Sequence, residues 1–103
     1  MAILEDVRAA AQRRLLFLPH AIRQMSRPQR MINSHEVEDV VMQGELIEDY
    51  PNDPRGPSCL MLGFGEGGRV VHAVCSPKDE YLAIITAYLP DPAQLSDDFR
   101  RRR

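Results

Sequence analysis

Residues 59–88 read CLMLGFGEGGRVVHAVCSPKDEYLAIITAY, and this stretch decides the fold. Cys59–Phe64 and Arg69–Cys75 are short apolar runs separated by Gly65-Glu66-Gly67-Gly68. Two β-forming runs around a glycine-rich turn predict a hairpin. A third run, Tyr81–Tyr88, follows after Pro77-Lys78-Asp79-Glu80, so the segment predicts an antiparallel meander.

Upstream, Glu45–Tyr50 can form a further strand, separated from the meander by the turn-rich loop Pro51-Asn52-Asp53-Pro54-Arg55-Gly56-Pro57. Before Gly44 the period is helical. Ile3, Leu4, Val7, Ala10 and Ala11 recur at three- and four-residue steps, which predicts a helix over residues 2–14. Pro19 suits the first position of a second short helix running through Met25 and stopping by Pro28. Asn33 and Glu36 have capping-box spacing before Val37, Val40 and Val41, with Gly44 closing that third helix. A final short helix is expected after Pro90-Asp91-Pro92, with Leu95 and Phe99 inward. The fold class is therefore α+β: N-terminal helices on a mainly antiparallel sheet of three to four strands, with a short C-terminal helix.

The 103 residues suit one domain, residues 1–103, with one core. No apolar run approaches the ~20 residues of a membrane span, and the N-terminus lacks a signal-peptide layout, so a cytoplasmic protein without a membrane partner is expected. Two cysteines fit a reducing compartment. The net charge of −2 conceals two blocks: residues 1–35 carry a net +4 and residues 36–55 a net −6. Such blocks suit a basic face for phosphates, or simply a solvated surface.

The chain also resembles a bacterial family of domains of unknown function assigned to the RelE/barnase-like toxin fold. The resemblance rests on His20-Ala21, Arg23-Gln24-Met25, Arg30-Met31-Ile32, Glu36-Val37, Gly44-Glu45 and Ile47-Glu48-Asp49-Tyr50-Pro51. It continues through Gly56-Pro57-Ser58-Cys59-Leu60, Gly68-Arg69, His72, Ile84-Ile85-Thr86-Ala87-Tyr88, Pro90-Asp91-Pro92 and Asp98-Phe99-Arg100. It covers nearly everything after Pro19, and residues 1–18 lie outside it. It implies the toxin of a type II toxin–antitoxin pair, with RNA, free or ribosome-bound, as substrate. The implied protein partner is a cognate antitoxin of the YgiT/MqsA zinc-finger type.

RNA cleavage without a metal needs a base for the 2′-OH, an acid for the leaving oxygen and cations for the phosphorane. His20, His72 and Tyr88 are the candidate acid–base groups, with Arg69 and Thr86 completing the catalytic set. Arg23, Arg30, Arg100 and Arg101 are the candidate phosphate-binding residues. His72, in the apolar run Val70–Val74, fits a hydrogen-bonded core histidine equally well.

Strand register decides which of these residues meet. Pairing Ser76 with Tyr81 sets Arg69 opposite Tyr88 and Val71 opposite Thr86, with His72 on the far face. A slip of one residue brings His72 onto their face instead. Cys59, His72 and Cys75 match no zinc spacing and lack a fourth ligand, so neither a metal nor another cofactor is expected. The competing reading is a non-catalytic domain of the same fold that binds a protein or an RNA partner.

Overall fold

The computed structural model describes residues 2–91. Three helices, α1 (Ile3–Arg13), α2 (Pro19–Met25) and α3 (Ser34–Gln43), accompany five strands. The strands are β1 (Leu15–Phe17), β2 (Glu45–Tyr50), β3 (Ser58–Phe64), β4 (Val70–Pro77) and β5 (Leu82–Tyr88). They form one sheet in the order β1-β5-β4-β3-β2. The α+β class is as expected, and β2 through β5 form the antiparallel meander. The expected C-terminal helix, Arg100 and Arg101 lie outside the described residues.

The fifth strand corrects the expected three to four. β1 runs parallel to β5, with Leu15, Leu16 and Phe17 opposite Leu82, Ala83 and Ile84. Three residues are too few to display a strand period, so Leu15-Leu16-Phe17 carried no local signal. Two influences act on them. Pro19 pushes Leu18 out of the α region, and Leu18 is extended at φ −71, ψ 158. The edge of β5 supplies the partners: the Leu82 amide donates to Arg14 O (2.8 Å) and the Leu18 amide to Ile84 O (3.1 Å).

The helices start where the sequence predicts. Pro19 occupies the first turn of α2, and Asn33 and Glu36 form the capping box of α3 with reciprocal bonds of 2.9 and 3.1 Å. α1 and α3 pack on one sheet face. Val7, Val37, Val40 and Val41 meet Cys59, Met61, Val71, Ala73, Cys75, Leu82 and Ile84 there, all fully buried. Gly44 ends α3 because the chain passes so close to β3 that a Cβ would lie 2.3 Å from Leu62 O and 2.4 Å from Val40 O. The Arg8 guanidinium reaches across from α1 to donate to Gly44 O at 2.8 Å.

The opposite sheet face carries Leu60, Leu62, His72, Val74, Thr86 and Tyr88. Its register differs from the Ser76–Tyr81 pairing considered above. The turn uses Lys78–Tyr81, so Pro77 pairs with Leu82. That shift preserves facing, since it is even. A bulge then intervenes: Cys75 pairs with Ile84 but Val74 with Thr86, leaving Ile85 as the extra residue. The odd shift flips the relationship, so His72 stands opposite Tyr88 and joins the Thr86 face. Arg69 is not opposite Tyr88; it precedes β4, outside the ladder.

Candidate functional site

A concavity of about 540 Å³ lies at the rim of this second face, lined by His20, Tyr50, Asp53, Pro54, Arg55, Val74, Ile85 and Thr86. Three separate parts of the chain build it. Pro19 starts α2 and thereby places the exposed His20 in its first turn. The Ile85 bulge lets two consecutive residues, Ile85 and Thr86, line the same hollow. The β2–β3 loop supplies Asp53, Pro54 and Arg55. A larger concavity of about 630 Å³ lies beside α1, but Arg13 and Lys78 share it with Asp6, Asp49 and Asp79. None of the expected site residues lines it.

His72 and Tyr88 occupy the next row of the sheet from Val74 and Thr86. Their rings meet edge-on with centroids 5.5 Å apart, and His72 Nδ1 lies 3.4 Å from the Tyr88 hydroxyl oxygen. His72 is 1% exposed while Tyr88 is half-buried, so the tyrosine is the more accessible of the pair. A neutral imidazole can donate or accept through Nδ1 depending on its tautomer, so either ring can be the donor in this contact.

Arg69 has a different place from the one expected. Its Nε donates to Glu36 Oε2 (3.0 Å) and its Nη2 to Glu36 Oε1 (2.7 Å). Nη1 and Nη2 also donate to the carbonyls of Arg30 and Met31. Glu36, 3% exposed, further accepts from the Glu66 and Asn33 amides. The Arg69 guanidinium holds the Glu36 carboxyl below the ordinary carboxylate range, aided by those amides and opposed by burial. The arrangement ties the β3–β4 turn to the start of α3. It spends the charge of Arg69 within the fold.

Arg23 is exposed one turn beyond His20 on α2. Arg30 is half-buried, with Nη1 donating to Gln24 Oε1 at 2.7 Å. His20 and Thr86 thus share the concavity, His72 and Tyr88 neighbour Thr86 on the same face, and Arg69 stands apart. Sequence reasoning missed Tyr50, Asp53 and Arg55. A signal existed in Asp53-Pro54-Arg55, where an acid and an arginine two residues apart in a proline-flanked turn can close on each other.

Cys59 and Cys75 pair across β3 and β4 with sulfurs 3.9 Å apart, both fully buried on the helix-covered face. Hydrogen bonding to Cys59 and burial push the Cys75 thiol up. His72 points to the opposite face, which splits the trio considered as a metal site. Among the described residues no three His, Cys, Asp or Glu side chains gather to hold a metal ion. No helix among them is long and apolar enough to cross a membrane.

The α+β sheet with its His20–Thr86 concavity thus defines a small domain with a largely apolar hollow, edged by polar side chains, at the rim of one sheet face. The chain belongs to the family described as "Domain of unknown function (DUF4258)", whose model matches residues 17–89. No curated protein and no solved structure matches it. The family match begins within β1 and omits α1, although Val7 and Ala10 of α1 belong to the shared core.

Proposed function

We propose that this protein is a toxin-type endoribonuclease that cuts RNA by attack of the 2′-OH, acting in the cytoplasm and restrained by an antitoxin protein. One observation carries the reading: His20 and Thr86 line one concavity, and the His72–Tyr88 pair sits in the adjacent row of the same sheet face. The RelE/barnase-like resemblance of the sequence adds support, since that resemblance implies RNA as the substrate.

In this mechanism His20, exposed at the hollow's rim, takes the 2′-OH proton as the oxygen attacks phosphorus. Tyr88, backed by His72, delivers a proton to the leaving 5′ oxygen. The products are a cyclic phosphate and a free 5′-hydroxyl, so atoms and charge balance without a further reactant. Thr86 offers a hydroxyl to the substrate inside the concavity. Arg23 supplies positive charge beside His20, with Arg30, Arg100 and Arg101 as further backbone contacts. Arg69 is better suited to hold Glu36 than to bind phosphate, because its guanidinium is already engaged there. The 2′-OH requirement selects RNA over DNA.

The test is growth on expression, followed by cleavage of free and ribosome-bound RNA by purified protein in a chelator. His20→Ala and Tyr88→Phe should each lose about 10²–10⁴-fold in rate while remaining folded. A harmless wild type that cuts neither RNA, or a His20→Ala variant that cuts equally well, would replace this reading with that of a non-catalytic binding domain.

A further inference from the structure

We propose that the His20–Thr86 concavity receives a nucleobase, with the guanidinium of Arg55 as its stacking wall. This inference rests on RNA as the substrate and names the part of it that the hollow takes.

Arg55 is held in an unusual way for a surface arginine. Its Nε and Nη2 donate to the two oxygens of Asp53 at 3.0 and 2.9 Å, a side-on fork. Asp53 also accepts from the Arg55 amide (2.9 Å) and from Ser58 Oγ (2.7 Å). Each carboxylate oxygen therefore accepts two hydrogen bonds, which fills the usual acceptor capacity of the group. Asp53 has no lone pair to spare as a base or ligand, and its remaining role is to position the arginine. Its carboxyl lies well below the ordinary range, chiefly because of Arg55, so the clamp persists across physiological pH.

The loop behind the clamp is fixed as well. Lys78 Nζ donates to Arg55 O, and Ser76 Oγ donates to Pro57 O at 2.7 Å. Gly56 takes a φ of +102°, and a Cβ there would meet Lys78 Nζ at 2.8 Å. These anchors reach from β4 and its following turn to the loop that bears Arg55. The wall is in place before any ligand arrives, which lowers the ordering cost of binding.

Charge then decides what the wall suits. A free arginine at the rim would attract phosphate, but Asp53 neutralises this one at contact distance. What remains is a flat guanidinium, with its side chain 60% exposed, lining the hollow. Guanidinium planes and aromatic rings are the surfaces on which unstacked RNA bases rest. Tyr50, Pro54, Val74 and Ile85 make the remaining lining mainly apolar, while Thr86 offers a hydrogen bond to a base edge and His20 at the rim stays available for the 2′-OH. The volume of about 540 Å³ is within the range of small-molecule sites.

The full chain would be titrated with adenosine, guanosine, cytidine and uridine, and separately with ribose 5-phosphate and inorganic phosphate, while following backbone amides by NMR. At least one nucleoside should shift the Ile85 and Thr86 amides saturably, and neither phosphate compound should do so. Arg55→Lys keeps the charge but loses the planar fork, and should weaken nucleoside binding at least about tenfold with the rest of the spectrum unchanged. Equal shifts from the phosphate compounds, no response to any nucleoside, or full affinity in Arg55→Lys would overturn the base site. RNA cleavage is scored separately: nucleoside binding by a chain that cuts no RNA supports the base site and removes only the nuclease reading. Cleavage without any nucleoside response overturns the base site alone.

Discussion

Tyr88 stands directly across the sheet from His72 because Ile85 is one residue more than the ladder needs. Without that bulge, continuation of the Pro77–Leu82 register would set Tyr88 opposite Val71, on the helix-covered face with the core. The bulge therefore sorts the polar residues of β4 and β5 onto one side. It also lets Ile84 and Ala87 both remain in the core on the other. Deleting Ile85 should straighten the ladder and leave His72 opposite Tyr88, since Cys75–Ile84 and Val74–Thr86 then become consecutive pairs. Retained cross-strand nuclear Overhauser contacts between the two rings are the expected outcome, and their loss in a folded variant would contradict it.

The Glu36–Arg69 pair joins a buried carboxylate to an arginine whose side chain is 30% exposed. Arg69→Ala should destabilise the fold by about 2–3 kcal/mol, between the cost of a surface pair and that of a fully buried one. Chemical denaturation checks this. A loss of RNA cleavage with stability unchanged would show that Arg69 serves the substrate instead.

The same pair predicts a pH dependence. Arg69, foremost, and two amides lower the Glu36 carboxyl pKa in the folded state. A depressed folded pKa contributes stability that is fully present above the unfolded value, roughly 4.3. That stability is lost as pH falls through the folded value. The stability gap between wild type and Glu36→Gln should accordingly be widest near neutrality and shrink below about pH 4. Melting temperatures measured from pH 7 to pH 3 test it, and a constant gap would contradict it.

α1 lies outside the family match but inside the core, with Val7 fully buried. Val7→Ala should cost about 2 kcal/mol through lost burial and the cavity left behind. A chain trimmed to residues 17–103, which retains the whole family match, should lose cooperative thermal unfolding, because the α1 face of β4 is uncovered. Circular dichroism on heating decides the matter.

The paired thiols are fully buried, so a thiol-specific reagent should leave native Cys59 and Cys75 unmodified and label both in denaturant. Rapid labelling of the native protein would mean that β3 and β4 separate readily. Thiol titration with and without guanidinium distinguishes the two.

Much of this architecture is written locally. Pro19 at the start of α2, the Asn33–Glu36 capping box and the glycine-rich turn after Phe64 each act through neighbours a few residues away, and all appear where the sequence predicts them. The apolar runs of β3, β4 and β5 are equally legible, since period and composition are properties of the segment itself. His20, Thr86, His72 and Tyr88 were recognisable as chemically useful side chains for the same reason.

Their partners were decided by contacts distant in the chain. β1 exists because β5 offers its edge to Leu15–Phe17, an influence no three-residue stretch displays. Arg69 turned from the expected sheet cluster to Glu36, 33 residues earlier, because a buried carboxylate demands a cation and donors. Asp53 and Arg55 became a wall of the concavity only when the Ile85 bulge and the first turn of α2 met their loop. The sequence by itself thus determined the α+β class, the order of the meander and the stock of reactive groups. Tertiary structure alone decided the register and the company each group keeps, because in a sheet one extra residue reverses the facing of every side chain beyond it.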